Sequence, residues 1–387
     1  MLTGAALSRF RKKLLAWFAN SQRDLPWRRT KDAYRIWLSE IMLQQTRVAA
    51  VIPYYETFVE RFPNVRALAD AQDEEVLRLW AGLGYYSRAR NLQKAAREIV
   101  AKHDARFPDT RAEALELPGI GDYTAAAILS IAYGKKLAVL DGNVARVMAR
   151  LNAVSGALRN GNRWRKLQDS ANTLLATRAP GDWNQAMMEL GATVCTPRSP
   201  HCLLCPVGEF CRARKLGLAE VIPEKREKRA NEEVLLAALV LVDSAGQTLL
   251  LPPPQAEVAL TTASDVTVLL SRLWHFPTIP LRSDAEAELR SFTRKLAGRR
   301  VEGEFVALAK VRHAVTYRQI TLRPFRVEVR RLPAVRNAKT IALTELTSVP
   351  VSNLTRKVAQ AALAKTREPA TGEVEILRFA QDDNCLK

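Results

Sequence analysis

The chain has 387 residues, 48% hydrophobic and 26% charged, an ordinary composition for a globular protein and enough length for two domains. Its longest apolar run, Val234 to Val242, falls far short of the ~20 residues of a membrane span, which excludes a helical membrane protein. With 59 Lys and Arg against 40 Asp and Glu, the net charge of +19 favours a polyanionic partner through counterion release, DNA or RNA alike.

Met1 to Ala19 interleaves basic residues with Leu7, Phe10, Leu14, Trp17 and Phe18, the pattern of an amphipathic helix rather than a secretion signal. The expectation is a soluble, intracellular protein. From Ala5 to about Leu218 the apolar residues keep helical period, broken by loops at Phe62 to Asn64, His103 to Asp109 and Ser155 to Asn162. This predicts an all-α domain over residues 1–219.

Tyr34 to Thr46 is apolar around most of its circumference and carries Glu40 between Ile36 and Leu43 on one face. Burial would raise the proton affinity of that carboxyl and fit it for general acid work, unless it pairs with a cation such as Arg47. Further on, Leu117-Pro118-Gly119-Ile120-Gly121 separates a short helical pattern from Tyr123 to Tyr133. The two glycines suit a tight turn with positive φ, and the free amides of the second helix make an anion site. The motif reads as a helix-hairpin-helix over 111–134 that grips a DNA phosphate through Gly119 and Gly121, or as a plain helical corner. Asp141 follows Leu137 to Leu140 and precedes a helix. It is expected to be an N-cap whose surrounding amides lower its pKa. One carboxyl raised and one lowered is the pairing that cleaves glycosidic bonds.

Cys195, Cys202, Cys205 and Cys211 lie within seventeen residues, spaced C-x6-C-x2-C-x5-C. Such clustering in an intracellular chain points to zinc or an iron–sulfur cluster rather than disulfides. Arg198, Arg212, Arg214 and Lys215 give that loop a positive face. Residues 220–233, with Lys225, Arg226, Lys228 and Arg229, read as a linker. Beyond it the period changes. Val234 to Val242, Glu304 to Val315 and Gln319 to Arg331 read as strands, the last slipping phase at Pro324 as a bulge or edge site would. Helices near Ala285 to Leu296 and Thr355 to Ala364 complete an α+β domain over 234–365, and residues 366–387, with the lone Cys385, read as a tail.

The motifs Leu25-Pro26-Trp27-Arg28, Trp37 to Thr46, Gly82 to Arg88, Leu117 to Thr124, Leu140 to Val144, Asn184 to Gly191 and the cysteine set together resemble the adenine DNA glycosylases of the helix-hairpin-helix superfamily, relatives of endonuclease III. The resemblance implies a multidomain fold, an all-α glycosylase domain with an iron–sulfur loop followed by an α+β Nudix-like domain. It implies a [4Fe–4S] cluster on the four cysteines and duplex DNA with adenine opposite 8-oxoguanine or guanine as partner, bound by a cytoplasmic, nucleoid-associated monomer. Glu40 would protonate N7 of an extruded adenine, Asp141 would stabilise or capture the sugar cation, and Tyr123 and Asn143 would hold the site together. Arg23, Leu25, Trp27, Leu43, Thr46, Val48 and Met188 match the base pocket, and Gln45 and Tyr85 match residues that wedge into the duplex.

Strand-cleaving relatives carry a lysine where this chain has Tyr123, and a phenol cannot form their Schiff base. Base removal without efficient strand cleavage is therefore expected. The C-terminal domain, recognisable by Leu273 to Pro277 and Val351 to Lys357, lacks a glutamate-rich metal box, so lesion recognition without pyrophosphatase activity is expected. In place of the family's Phe-Ser-His loop stands Val315-Thr316-Tyr317, which puts the 8-oxoguanine preference of Thr316 and Tyr317 in question. A thymine-mismatch glycosylase and a non-catalytic basic DNA-binding metal protein are the competing readings.

Overall fold

The computed structural model describes residues 2–158, 160–224, 229–253, 270 and 273–364. The linker residues Lys225, Arg226 and Lys228 and the tail 366–387 with Cys385 lie outside them. Contacts divide the chain into two units, Met1–Ala71 with Ser87–Glu227, and Gln72–Tyr86 with Lys228–Lys387.

The first unit is helical: α1 (Gly4–Ser21), α2 (Ala33–Leu43), α3 (Val48–Arg61) and α4 (Val65–Asp70) precede the segment that carries α5 (Asp73–Leu79). After it come α6 (Ser87–Lys102), α7 (Arg111–Glu116), α8 (Asp122–Tyr133), α9 (Gly142–Asn152), α10 (Gly161–Leu174), α11 (Pro180–Thr193) and α12 (Arg212–Lys215). Local chemistry sets the boundaries. Asp32, Asn64, Thr110 and Asp141 each accept a backbone amide of the first turn they cap, and Pro180 opens α11. α1 buries Phe10, Leu14 and Phe18, spaced at i, i+4 and i+8, in a core with α8, α9, α10 and α11.

The helix-hairpin-helix forms between α7 and α8, with one departure from expectation. Gly119 has φ +81 and lies against Asn91, so a side chain there meets both strain and a neighbour. Gly121 is extended (φ −106) in open space, as the N-cap of α8; its conformation does not require glycine. The first helical hydrogen bond of α8 runs from Ala125 N to Gly121 O, leaving the amides of the first turn without helical partners.

The second unit is a mixed sheet. β1 (Glu232–Asp243), β2 (Gln247–Leu250), β3 (Thr278–Pro280), β4 (Val306–Ala307), β5 (Val311–Val315), β6 (Arg318–Val329) and β7 (Lys339–Ala342) have the order β4-β6-β1-β2-β7. β3 pairs with β1, and β5 with β6. β1 is buried on both faces, which is why it reads as a continuous apolar run. Leu236, Ala238 and Val240 face the core built with α14 (Asn353–Ala364), whereas Ala237, Leu239 and Leu241 face the one built with α13 (Ala285–Ala297). Helices thus cover both faces of the sheet.

β6 is neither bulged nor at an edge, contrary to the sequence expectation. It pairs with β1 residue for residue from Glu232↔Arg318 to Asp243↔Val329. Ile320 and Leu322 face one core and Phe325 and Val327 the other, so the phase change reflects a strand whose two faces are buried in turn. The irregularity lies in the neighbouring chain. Ala307 pairs with Phe325 and Val311 with Leu322, placing three residues opposite Arg323 and Pro324. Leu308 N donates to Pro324 O in that gap, and the proline lacks an amide on the side where the ladder is broken.

Backbones approach closely where α11 crosses α9. A Cβ on Gly191 would lie 2.9 Å from Asn143 Cβ and 3.1 Å from Asn143 O. Gly191→Ala is expected to cost roughly 1–3 kcal/mol of stability in urea unfolding by overpacking, while Gly121→Ala is expected to stay within about 0.5 kcal/mol. Equal effects would show that the α9–α11 packing is looser than described.

Candidate active site

The site begins with α2. Its apolar circumference keeps it inside the helical unit, and Glu40 at its centre is 6% exposed. The Tyr123 hydroxyl, on the first turn of α8, donates to Glu40 Oε2 at 2.8 Å, with Met188 Sδ 3.1 Å away. Loss of water dominates the carboxyl's proton affinity. It pushes the Glu40 pKa to about 7; the nearby Asp141 charge adds to the rise, while the Tyr123 hydrogen bond and Arg28 oppose it. Burial beside the two acids keeps Tyr123 far above its ordinary pKa, so it remains a donor.

Asp141 is the N-cap expected for α9. Its Oδ1 accepts from Val144 N at 2.7 Å and its Oδ2 from Asn143 Nδ2 at 3.3 Å. The expected lowering of its pKa does not occur. Burial raises it, outweighing the Val144 amide, Arg146 and Asn143, which all pull it down. Both acids are therefore raised, and the asymmetry between them comes from their partners. Asp141 has amides and a cation to hold its ionised form, while Glu40 has one phenol and the charge of Arg28, with no backbone amide.

Asn184, placed by the sequence only within a motif and given no role there, fixes the approach to Asp141. Asn184 of α11 donates to Ser130 Oγ at 2.8 Å and to Leu137 O at 2.7 Å, and accepts from Val139 N at 3.1 Å. It thereby satisfies the backbone of the segment that delivers Asp141. Beyond Asn143, Arg146 donates to Asn143 Oδ1 (2.9 Å), Gly191 O (2.7 Å) and Cys195 O (2.9 Å). The cysteine loop and the Asp141 cap thus share one guanidinium.

Arg23, matched to the base pocket, binds a second buried carboxylate. Glu189, 1% exposed, is held by Arg23 through two 2.7 Å hydrogen bonds and by Arg28 through a third at 2.7 Å. Burial opposes its charge, but the two guanidiniums prevail and hold its pKa at about 2. Glu189 and Arg28 lie within motifs noted in the sequence but were given no role there, and the signal for Glu189 was weak: a Glu one residue after a pocket methionine. Leu25 and Trp27 are buried, Trp27 edge-on to Tyr55 at 5.3 Å. Leu43, Thr46 and Val48 are partly exposed around the end of α2, and Gln45 is exposed with φ +56. Arg88 caps that helix end, donating to Met42 O at 2.8 Å, to Gln44 O and to Thr46 Oγ1. It holds the turn that carries Gln45 in a left-handed conformation that costs a non-glycine residue of order 1–3 kcal/mol.

The four cysteines lie on one loop, none of them in a disulfide. No three such side chains converge on a single metal-ion position among the described residues; the fit to a cluster lies in the donors around the sulfurs. Arg150, fully buried, aims Nη1 at Cys195 Sγ at 3.2 Å and at Thr196 O at 2.7 Å. Backbone amides of Val207 face Cys205, and those of Ala213 and Arg214 face Cys211. N–H groups directed at sulfur stabilise thiolate ligands and tune an iron–sulfur cluster.

In the second unit, Thr316 and Tyr317 form the two-residue turn between β5 and β6, closed by the Val315↔Arg318 pair. Thr316 has φ +56 and the Tyr317 ring lies 3.7 Å beneath the Arg229 guanidinium. Tyr85 belongs to the segment grouped with this unit; it is 43% exposed with φ +48.

Comparison with known proteins agrees with this geometry. Residues 38–172 match the HhH-GPD superfamily base excision DNA repair proteins, and residues 195–211 the iron–sulfur binding domain of endonuclease III. The cysteine loop is thus an iron–sulfur site. The adenine DNA glycosylase of Homo sapiens is 49% identical over 221 residues, covering 54% of this chain and 40% of its own. That of Arabidopsis thaliana is 34% identical over 321 residues, covering 73% and 49%. The chain therefore spans about half the length of the curated relatives it matches. The solved structure of a thermostable thymine-DNA glycosylase, 30% identical with a TM-score of 0.50, covers 54% of this chain and 97% of that one. With residues 38–172, which carry the hairpin and both acids, and the cysteine loop each matched, the chain belongs to the HhH-GPD superfamily of base excision DNA repair proteins.

Proposed function

We propose that the protein is a monofunctional DNA glycosylase that hydrolyses the N-glycosidic bond of adenine mispaired with 8-oxoguanine or guanine. The observation that carries this reading is the pair Glu40–Tyr123, a carboxyl poised to be protonated near pH 7 and hydrogen-bonded by a phenol. Glu40 delivers its proton to N7 of the extruded adenine, making the base a better leaving group. Asp141, ionised, stabilises the oxocarbenium-like sugar as the bond breaks, and water adds to the sugar carbon and loses a proton to complete the hydrolysis. Tyr123 orients Glu40 and, having no amine, forms no Schiff base, so the product is an intact strand with an abasic site.

The amides at the start of α8 and the net charge of +19 supply grip on the DNA backbone. A [4Fe–4S] cluster held by Cys195, Cys202, Cys205 and Cys211 would brace the loop that bears Arg198, Arg212 and Arg214. The sheet unit, mixed with helices on both faces, is read as a Nudix-like module whose Thr316–Tyr317 turn faces the base opposite adenine.

A second reading, thymine release from mismatches, is favoured by the 30% identity to the thymine-DNA glycosylase. Against it stands the match to the Arabidopsis adenine enzyme over 321 residues, well beyond the helical unit. Duplexes with A or T opposite 8-oxoguanine or guanine separate the two. Adenine release with strand breakage only after alkali is expected; thymine release would replace the proposal by the second reading, and breakage without alkali would overturn the role of Tyr123.

The acid pair sets a pH window. Glu40 must be protonated and Asp141 ionised, so kcat/KM is expected to fall about tenfold per pH unit above about 7. An acid limb is expected where Asp141, raised by burial, takes up its proton. A profile flat from pH 6 to 9 would contradict the acid role of Glu40. Stability moves in the same direction at the alkaline end. The folded-state pKa of Glu40 lies above its ordinary 4.5, so stability is fully present below the unfolded value and is lost as pH rises through about 7, by on the order of 3 kcal/mol. Glu40→Gln is therefore expected to abolish excision and to raise Tm relative to the parent at pH 8.5 but not at pH 4.

A further inference from the structure

Residues Gln72–Tyr86 leave the helical unit after α4 and rejoin it at α6, yet their contacts belong to the sheet unit. One carboxylate accounts for much of this. Glu74 Oε1 accepts from Trp274 Nε1 at 2.9 Å and from Lys339 Nζ at 2.6 Å. The same ammonium lies 4.9 Å from the Trp274 ring centre, so anion, cation and indole form one closed set. Trp274 is fixed in turn by its bridge to Val351, and Lys339 by the β2–β7 ladder. The partners come from three distant parts of the chain.

What Glu74 anchors is stiff. α5 runs into Trp80, which is fully buried, and the turn continues with bonds from Ala81 N to Arg78 O and Leu83 N to Trp80 O. Trp80 Nε1 then donates to Gly84 O at 3.1 Å, and the Tyr86 hydroxyl accepts from Gly82 N at 3.3 Å. Gly82, Gly84 and Tyr85 all have positive φ, a shape that few other residues adopt without strain. A displacement at Glu74 therefore reaches Tyr85 through hydrogen-bonded backbone rather than being lost in a flexible loop.

We propose that Glu74 is a positioning residue for base extrusion, clasping the Tyr85 turn to the sheet unit through Trp274 and Lys339, so that insertion of the Tyr85 ring into DNA depends on that unit. This rests on the reading of Tyr85 as a wedge. Its physical sense is economy of ordering: a wedge already fixed to the unit that meets the opposite base loses less freedom on insertion than a free turn would.

The test uses the full-length, cluster-loaded protein and a duplex with 2-aminopurine beside an adenine opposite 8-oxoguanine. Extrusion is followed by the rise in fluorescence and excision by single-turnover base release. Glu74→Ala is expected to slow extrusion about 3- to 10-fold with Tm unchanged, more in low salt than in high because the clasp is partly exposed. The exchanged pair Glu74→Lys with Lys339→Glu is expected to restore most of the rate. Tyr85→Ser is the reference for the wedge itself. Should Tyr85→Ser be slow while Glu74→Ala extrudes at the parent rate, the clasp proposal is overturned. Should Tyr85→Ser extrude at the parent rate, the wedge reading fails first. A slow Glu74→Ala that the exchanged pair does not rescue would also count against the clasp.

Discussion

The carboxyl of Glu40 is cut off from water on a helix that is apolar around nearly its whole circumference, and the rest of the site is arranged about that fact. A solvated glutamate would be ionised at neutral pH and useless as an acid. Here burial raises its proton affinity into the working range, and the Tyr123 hydroxyl limits the rise while fixing the carboxyl's orientation. Asp141 meets the same loss of water but has the first amides of α9, Asn143 and, through Asn143, Arg146 to hold its charge. Two acids that both lose water on folding are thus left in different electrostatic surroundings, the contrast on which the proposed mechanism rests.

The scaffold that holds them is polar as well as apolar. Asn184 ties the segment before Asp141 to α8 and α11, and Gly191 lets α11 approach Asn143 closely enough for Arg146 to bond both Gly191 O and Asn143. Arg146 also reaches the carbonyl of Cys195, so the geometry of the iron–sulfur loop bears directly on the cap at Asp141. On the opposite side Glu189 neutralises Arg23 and Arg28. Removing that carboxylate would leave the Arg28 charge, which already acts on Glu40, uncompensated and would favour the ionised form of Glu40.

Much of this was legible in the sequence, and the exceptions have physical causes. Period and capping residues located the helices, the continuous apolar run located β1, and cysteine spacing located a metal site that only the family resemblance made iron–sulfur rather than zinc. The pKa of Asp141 was read with the wrong sign because a cap's amides are visible in sequence, while the burial that outweighs them depends on tertiary packing. Glu189 escaped notice for a related reason: its partners lie more than 160 residues away. Pro324 suggested a bulge in its own strand, but the extra residue sits in the neighbour. Glycine at 121 was read as a conformational need, whereas only Gly119 has one. No pattern in α5 reveals that Glu74 meets Trp274 and Lys339 from the far end of the chain.

The most direct test of this account is a titration of the Glu40 carboxyl itself. Infrared difference spectra between the parent protein and Glu40→Gln isolate its C=O stretch, which disappears on ionisation. The account predicts a midpoint near 7, moving higher in Tyr123→Phe, where the carboxylate loses its donor. A midpoint near the ordinary 4.5, unmoved by Tyr123→Phe, would contradict it.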